Sequence, residues 1–187
     1  MTHHIGIVIL PDKSTNLLLR GLAKNVPGNR LDLEVDPPHL SLLHVMLDDE
    51  GVRHAQSLVA ELKAAPVPLP CYQTTAERTG WNFLEVRASP QLLALQVEVL
   101  PLSKCRQGST PFLQRDWATV AQENAYQDYG YPNVGAAWQP RFAFGIGHKS
   151  VKRSTLPMQR LATGQTMAVA RLSQHGAVET LLFSRAL

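Results

Sequence analysis

The sequence contains little cysteine and no long hydrophobic run. Cys71 and Cys105 have neither the paired spacing of a zinc site nor the density of a secreted disulfide scaffold, so we expect two buried thiols in a reducing compartment. The apolar run at 4–10 is ended at Pro11, before it reaches the length of a signal peptide or a membrane span. These absences predict a cytoplasmic protein that does not associate with a membrane.

Several chemical signatures are also missing. The sequence has no glycine-rich phosphate loop and no Gly-x-Ser-x-Gly nucleophile elbow. His3, His4 and His54 are not spaced toward carboxylates or cysteines in the way that metal ligands are. We therefore expect neither a metal nor another cofactor.

Composition and charge further narrow the class of protein and the kind of ligand. Of the 187 residues, 44% are hydrophobic and 18% are charged, which is typical of a globular protein and not of a disordered one. That length suffices for one substantial domain. The net charge of +3 favours an anionic ligand but does not predict a long nucleic-acid track.

Hydrophobic periodicity predicts a mixture of strands and helices. The predicted strands are 4–10, 39–47, an extended segment after 69, 81–86, 139–147, 166–172 and 178–184, and the predicted helices are 14–26, 50–64, 90–102 and 111–126. Ser14 is the expected N-cap of the first helix. Because antiparallel hairpins are expected among these strands, the fold class is α+β.

The most informative segment, 37–42, places a histidine and a serine two residues apart behind a proline pair. Positions i and i+2 of a strand share a face, so His39 and Ser41 are expected to point together while Leu40 and Leu42 enter the core. An imidazole can move protons near neutral pH and a hydroxyl can hold a phosphate. By the same alternation His44 lies on the core face. The structural alternative is a histidine that is merely satisfied by a neighbour.

A Pro-His-Leu-Ser-Leu motif on an early strand, and a Tyr-Gly-Tyr loop at 129–131 leading to a strand entered by Trp138-Gln139-Pro140, resemble the two-histidine (2H) phosphoesterase superfamily. That superfamily includes bacterial 2′-5′ RNA ligase-like proteins and cyclic phosphodiesterases. The resemblance implies two antiparallel sheets that face a central cleft, with helices on the outer faces. It also implies one bilobal domain over 1–187, whose lobes exchange strands and correspond approximately to 1–88 and 89–187.

Members of the superfamily carry one His-x-Thr/Ser motif in each lobe. One histidine acts as base and the other as acid, while the hydroxyls hold a 2′,3′-cyclic phosphate or a 2′-5′ phosphodiester. His39 and Ser41 match the first motif. The resemblance therefore implies metal-free acid–base catalysis on a nucleotide or RNA terminus, by a protein that we expect to be a monomer.

The second motif departs from the pattern. Where the strand should begin Pro-His-x-Thr, this chain has Arg141 and Ala143 in place of the histidine and the hydroxyl residue. Arginine does not exchange protons near neutral pH, but its planar fork is suited to a phosphate. On this interpretation the second site is degenerate and Arg141 binds substrate.

A second His-x-Ser, formed by His148, Lys149 and Ser150, follows a few residues later. In a regular strand His148 shares the face of the phenylalanines at 142 and 144, which is the core face. A bulge at Gly145 or Gly147 would turn it toward the cleft. In that shifted register His39 and His148 would be acid and base, and Ser41 and Ser150 would orient the phosphate.

Other substrate contacts are expected near the second motif. Lys149 can meet a phosphate at the mouth of the cleft, and Tyr131 or Trp138 can stack on a nucleobase. The alternatives are a solvated loop for the lysine and ordinary packing for the aromatic residues. Three functions therefore stay open: a 2H phosphoesterase, a nucleotide- or RNA-binding module that has lost the reaction, and an interaction domain that retains only the fold.

Overall fold

This computed structural model describes residues 1–63, 65–76, 80–110, 119–147 and 157–187, and at 157–159 it describes the backbone but not the side chains. The described residues form seven strands and four α-helices. In chain order the elements are β1 (His3–Pro11), α1 (Lys13–Ala23), β2 (Leu40–Leu47), α2 (Asp49–Glu61), β3 (Val67–Ala76), β4 (Trp81–Val86), α3 (Pro90–Val99), α4 (Val120–Tyr129), β5 (Arg141–Ile146), β6 (Pro157–Leu172) and β7 (Val178–Ala186). The α+β class with antiparallel strands is confirmed.

The first helix is fixed at its N-terminus by Asp12 and not, as predicted, by Ser14. The Asp12 carboxylate accepts the backbone N–H of Thr15 at 2.8 Å and that of Thr163 at 2.7 Å, while the Ser14 hydroxyl donates to it at 2.5 Å. Burial alone would raise the pKa of Asp12, but these hydrogen bonds lower it to about 2. The cap therefore joins the start of α1 to β6.

The strands follow the order β1-β2-β5-β4-β3-β6-β7, and β1 pairs with β6 as well. All the pairings are antiparallel. The first half of β6 pairs with β3, and the second half lies between β1 and β7. The sequence predicted only 166–172 for this strand, because the first half is extended through its pairing with β3 and carries no clear alternation of its own.

All four predicted helices differ in their bounds, and α1 and α2 end at Ala23 and Glu61, before the predicted ends at 26 and 64. α3 ends at Val99 and continues as a 3-10 segment, Leu100–Cys105, where a single helix over 90–102 was predicted. Cys105, at the end of this segment, is exposed and not buried as predicted, whereas Cys71 is buried. α4 starts at Val120 because Thr119 forms a capping box with Gln122, and 111–118 of the predicted helix lie outside the described residues. The division into lobes 1–88 and 89–187 stays a prediction. No helix in the described ranges is long and apolar enough to cross a bilayer.

The core lies between the sheet and the helices. Helix α2 packs on β6 and β7, α1 packs on β5 and β6, and α3 packs on β2. The junction of β2 and β5 is part of this core, since Leu40 pairs with Phe142 and both side chains are fully buried. Apolar packing therefore holds together the two strands that carry the predicted motifs.

We expect Phe142→Ala to lower the free energy of unfolding by about 3 to 5 kcal/mol, because it leaves a cavity at this junction. Urea unfolding of the full chain measures the change. Leu161→Ala is the control, since Leu161 is 68% exposed, and it should change stability by less than about 0.5 kcal/mol. Equal losses in the two variants would contradict the role of Phe142 in the core.

Candidate functional site

A cavity of about 170 Å³ lies where β2 and β5 meet. Its walls come from the 31–39 loop, β2, the start of β4, the 131–139 loop, β5 and the turn between β6 and β7. Segments that are distant in the sequence are therefore brought to one concave surface, as is typical of ligand sites.

His39 and Ser41 both line this cavity and are half-buried. The His39 Nδ1 lies 3.0 Å from the carbonyl oxygen of Pro37. Burial lowers the pKa of His39, against the opposing effects of the carbonyls of Pro37 and Gly176 and of the Asp36 carboxylate. When Nδ1–H donates to the Pro37 carbonyl, the neutral ring keeps its unprotonated nitrogen at Nε2, which suits a general base.

Strand β2 carries a bulge directly after Ser41. The adjacent β1 residues Ile7 and Val8 pair with Leu43 and Ser41, so Leu42 is the extra residue on β2. A bulge of this kind reverses the alternation of side chains beyond it. The residues after Leu42 therefore change faces relative to a regular strand.

His44 is consequently on the cavity side and not, as the regular alternation predicted, on the core face of Leu40. It is only 5% exposed, yet it lines the cavity, and its Nε2 lies 2.8 Å from Ser41 Oγ. Its ring stacks on Tyr131 with centroids 4.4 Å apart and planes 9° apart, and it forms a T-shaped pair with the ring of His4 at a centroid distance of 5.3 Å. Burial, the largest cause, holds the pKa of His44 well below its usual value.

Strand β5 has the same construction. Phe83 pairs with Ala143 and the preceding β4 residue pairs with Gly145, so Phe144 is the extra residue. Arg141 and Ala143 line the cavity while Phe144 is buried, as the alternation predicted for the segment before the bulge. The Arg141 guanidinium lies over the Phe83 ring, 3.7 Å from its centroid.

The pairing register places the two motifs side by side on neighbouring strands. Because Leu40 pairs with Phe142 in antiparallel fashion, His39 is set opposite Ala143 and Ser41 opposite Arg141. In each strand a bulge follows the last residue of the three. The Arg141-Phe142-Ala143 segment thus occupies the position on β5 that corresponds to the first motif on β2.

The predicted aromatic residues lie at the same cavity, but with part of their surface already engaged. Tyr131 is 7% exposed and one face of its ring is covered by His44. The Trp138 indole N–H donates to the backbone carbonyl of Ser41 at 3.0 Å. Trp81 lines the cavity wall and stacks on Phe83 with centroids 5.9 Å apart. Base stacking by Tyr131 or Trp138 stays a prediction.

Five of the predicted site residues line one cavity, and three are not described. Those at the cavity are His39, Ser41, Arg141, Tyr131 and Trp138, and those outside the described residues are His148, Lys149 and Ser150. The sequence reasoning missed Asp36 and His175, which also line the cavity. Asp36 is close to the first motif and could have been noticed, whereas His175 reaches the cavity through a hairpin turn that no local pattern connects with it.

Within the described ranges, no three His, Cys, Asp or Glu side chains are grouped so that they could hold a metal ion. At the cavity, His39, Ser41 and Arg141 offer an imidazole, a hydroxyl and a guanidinium group. An imidazole exchanges protons, and the other two bind oxyanions.

Burial of the histidines predicts a loss of stability in mild acid. It lowers the pKa values of His4, His39 and His44 below 6.5, so between those values and 6.5 the unfolded chain binds more protons than the folded chain. The free energy of unfolding should therefore fall as the pH is lowered through 6.5.

Urea unfolding between about pH 7.5 and 5.5 measures this slope. His44→Phe should reduce it, because one buried titratable group is removed. His54→Gln should leave it unchanged, since His54 is exposed on α2. A slope in His44→Phe equal to that of the wild type would contradict the assignment.

Comparison with known proteins yields structural likeness and no sequence match. Neither a family model nor a curated protein sequence matches the chain. The solved structures that it resembles include TT0787 of Thermus thermophilus, with a TM-score of 0.68 and 15% identity over 98% of this chain and 97% of that one.

LigT of E. coli, solved in complex with 3′-AMP, matches with a TM-score of 0.62 and 12% identity over 100% of this chain and 99% of that one. A structure described as a phosphoesterase matches with a TM-score of 0.62 and 13% identity over the same shares. At this level of identity the likeness concerns the fold. The chain therefore has the fold of LigT and of the solved phosphoesterase, while the bilobal arrangement of two sheets that face a central cleft stays a prediction.

Proposed function

We propose that the cavity binds the phosphate ester of a nucleotide or an RNA terminus, as a 2′,3′-cyclic phosphate or a 2′-5′ phosphodiester. The observation that carries the proposal is the convergence of His39, Ser41 and Arg141 on one cavity at corresponding positions of two paired strands. The LigT fold supports it, because LigT of E. coli has been solved with 3′-AMP, with ATP and with phosphate.

Each of the three groups has a role in this proposal. Arg141 offers a planar pair of N–H donors to two phosphate oxygens, and Ser41, set opposite it, adds a hydroxyl donor. Trp138 or Tyr131 forms a wall for the base, and Lys149 and Ser150 are further candidates for the phosphate. The net charge of +3 favours the approach of an anion. A monomeric cytoplasmic protein that works without metal or other cofactor stays our expectation.

Binding is favoured over turnover by the residues at the second motif. In-line displacement at phosphorus requires one group that accepts a proton and another that donates one. His39 suits the first task, since its pKa is lowered by burial and its Nδ1 lies against the Pro37 carbonyl. Arg141 cannot perform the second, because it keeps its proton.

Hydrolysis is the second candidate function. It is favoured by the neutral His39 at the cavity, and it requires His148 as the other proton carrier. The 2H phosphoesterase that the resemblance implied would then act through His39 and His148, with Ser41 and Ser150 orienting the phosphate.

We expect Arg141→Gln to weaken the binding of 2′,3′-cyclic nucleotides by about ten- to a hundredfold, which is the effect of losing charge-assisted hydrogen bonds. Titration calorimetry measures the dissociation constants. Arg171→Gln removes the same charge from an exposed position on β6 and should bind nearly as the wild type does. Equal weakening in both variants would mean that only net charge matters, and unchanged binding in Arg141→Gln would overturn the phosphate site.

Turnover of 2′,3′-cyclic nucleotides and 2′-5′ dinucleotides by the wild type, His39→Ala and His148→Ala separates the two candidates. We expect no more than trace turnover by the wild type. Combining Arg141→His with Ala143→Thr restores the second motif at its position on β5 and should raise the rate by about 10²–10⁴-fold, the usual contribution of a general acid or base.

Clear wild-type turnover that is lost in both His39→Ala and His148→Ala would instead establish the two-histidine enzyme. Adding His39→Ala to the restored variant is the control, because a gain that depends on the pair of histidines must then disappear. Absence of any nucleotide binding by the wild type would leave only the interaction domain.

A further inference from the structure

We propose that His44 is a positioning residue that fixes the hydroxyl of Ser41 so that this hydroxyl donates to the bound phosphate. The inference rests on the proposed function, since it concerns how the same site holds its phosphate. It assigns a task to a histidine that lies outside the motif and that a regular strand would have turned away from the cavity.

The first support is the contact itself. His44 Nε2 lies 2.8 Å from Ser41 Oγ, which is the length of a good hydrogen bond. This contact exists because the bulge at Leu42 places residues 41 and 44 on the same side of β2. A bulge at this point re-aims a side chain toward the site, as bulges beside functional sites do.

The second support is that the ring of His44 is packed against two neighbouring rings. One face stacks on Tyr131 with centroids 4.4 Å apart, and the rings of His44 and His4 form a T-shaped pair with centroids 5.3 Å apart and planes at 66°. The side chain is 5% exposed. A histidine held in this way presents one nitrogen to Ser41 in a constant direction.

The number of available protons then gives the direction of the hydrogen bond. Phosphate oxygens accept hydrogen bonds, so Ser41 must use its own hydrogen on the ligand. Its oxygen is then free to accept, and the neutral His44 donates through Nε2–H. The chain is Nε2–H of His44 to Oγ of Ser41, and O–H of Ser41 to the phosphate oxygen. Burial, which keeps the pKa of His44 low, makes the neutral ring the form that does this at neutral pH.

The experiment compares dissociation constants of 2′,3′-cyclic nucleotides with those of the corresponding nucleosides, by calorimetry on the full chain. The ratio isolates the contribution of the phosphate. His44→Phe keeps a ring on Tyr131 but removes the donor, and it should weaken nucleotide binding by about three- to tenfold, the effect of one neutral hydrogen bond, while nucleoside binding stays the same. His44→Gln should restore the nucleotide affinity, because the glutamine amide nitrogen occupies nearly the place of Nε2.

A double-mutant cycle distinguishes positioning from a structural role. In the Ser41→Ala background His44→Phe should have no further effect on nucleotide binding, because its target is gone. Additive effects, or equal weakening of nucleotide and nucleoside, would overturn the inference. His54→Phe on the exposed face of α2 is the matched control and should bind as the wild type does.

The outcomes separate this inference from the proposed function. If the wild type binds no nucleotide, the proposed function fails and the inference fails with it. If the wild type binds nucleotide and the cycle is additive, only the role of His44 is lost. If His44→Phe does not fold, the ¹⁵N spectrum of the wild type decides, since a protonated Nε2 on His44 supports the role and a protonated Nδ1 with bare Nε2 contradicts it.

Discussion

The pairing of Leu40 with Phe142 is the contact on which the candidate site depends. It joins β2 to β5 through two fully buried side chains, and hydrophobic burial of this kind is the main favourable term in folding. Because neighbouring residues of a strand point to opposite faces, burying these two leaves His39 and Ser41 on the other face, opposite Ala143 and Arg141. The packing of the core and the composition of the cavity therefore follow from one register.

The two bulges decide which side chains beyond the paired residues face the cavity. Each follows a motif directly, at Leu42 in β2 and at Phe144 in β5. In β2 the bulge also moves His44 from the core face to the cavity. His44 is thereby added as a third side chain beside His39 and Ser41 at the cavity.

Burial governs the electrostatics of the cavity. His39 and His44 are held in their neutral forms because a buried imidazolium is poorly solvated. Arg141 keeps its charge and is placed over the Phe83 ring at 3.7 Å, where the face of the aromatic ring favours a cation. The cavity thus combines the neutral imidazoles of His39 and His44 with the guanidinium cation of Arg141 on β5.

The sequence by itself determined the mixed fold class, the strands carrying the motifs, and the convergence of His39 with Ser41, since these follow from local periodicity and turn residues. Its resemblance to the 2H phosphoesterase superfamily also implied that Arg141 stands where a second histidine would be expected. Only the tertiary structure decided the bulge at Leu42, the side of the strand on which His44 lies, and the extension of β6 back to residue 157. The bulge depends on the pairing of β2 with β1, and the extension of β6 depends on its pairing with β3. A local sequence pattern does not show which strand becomes the partner or in which register the two strands pair.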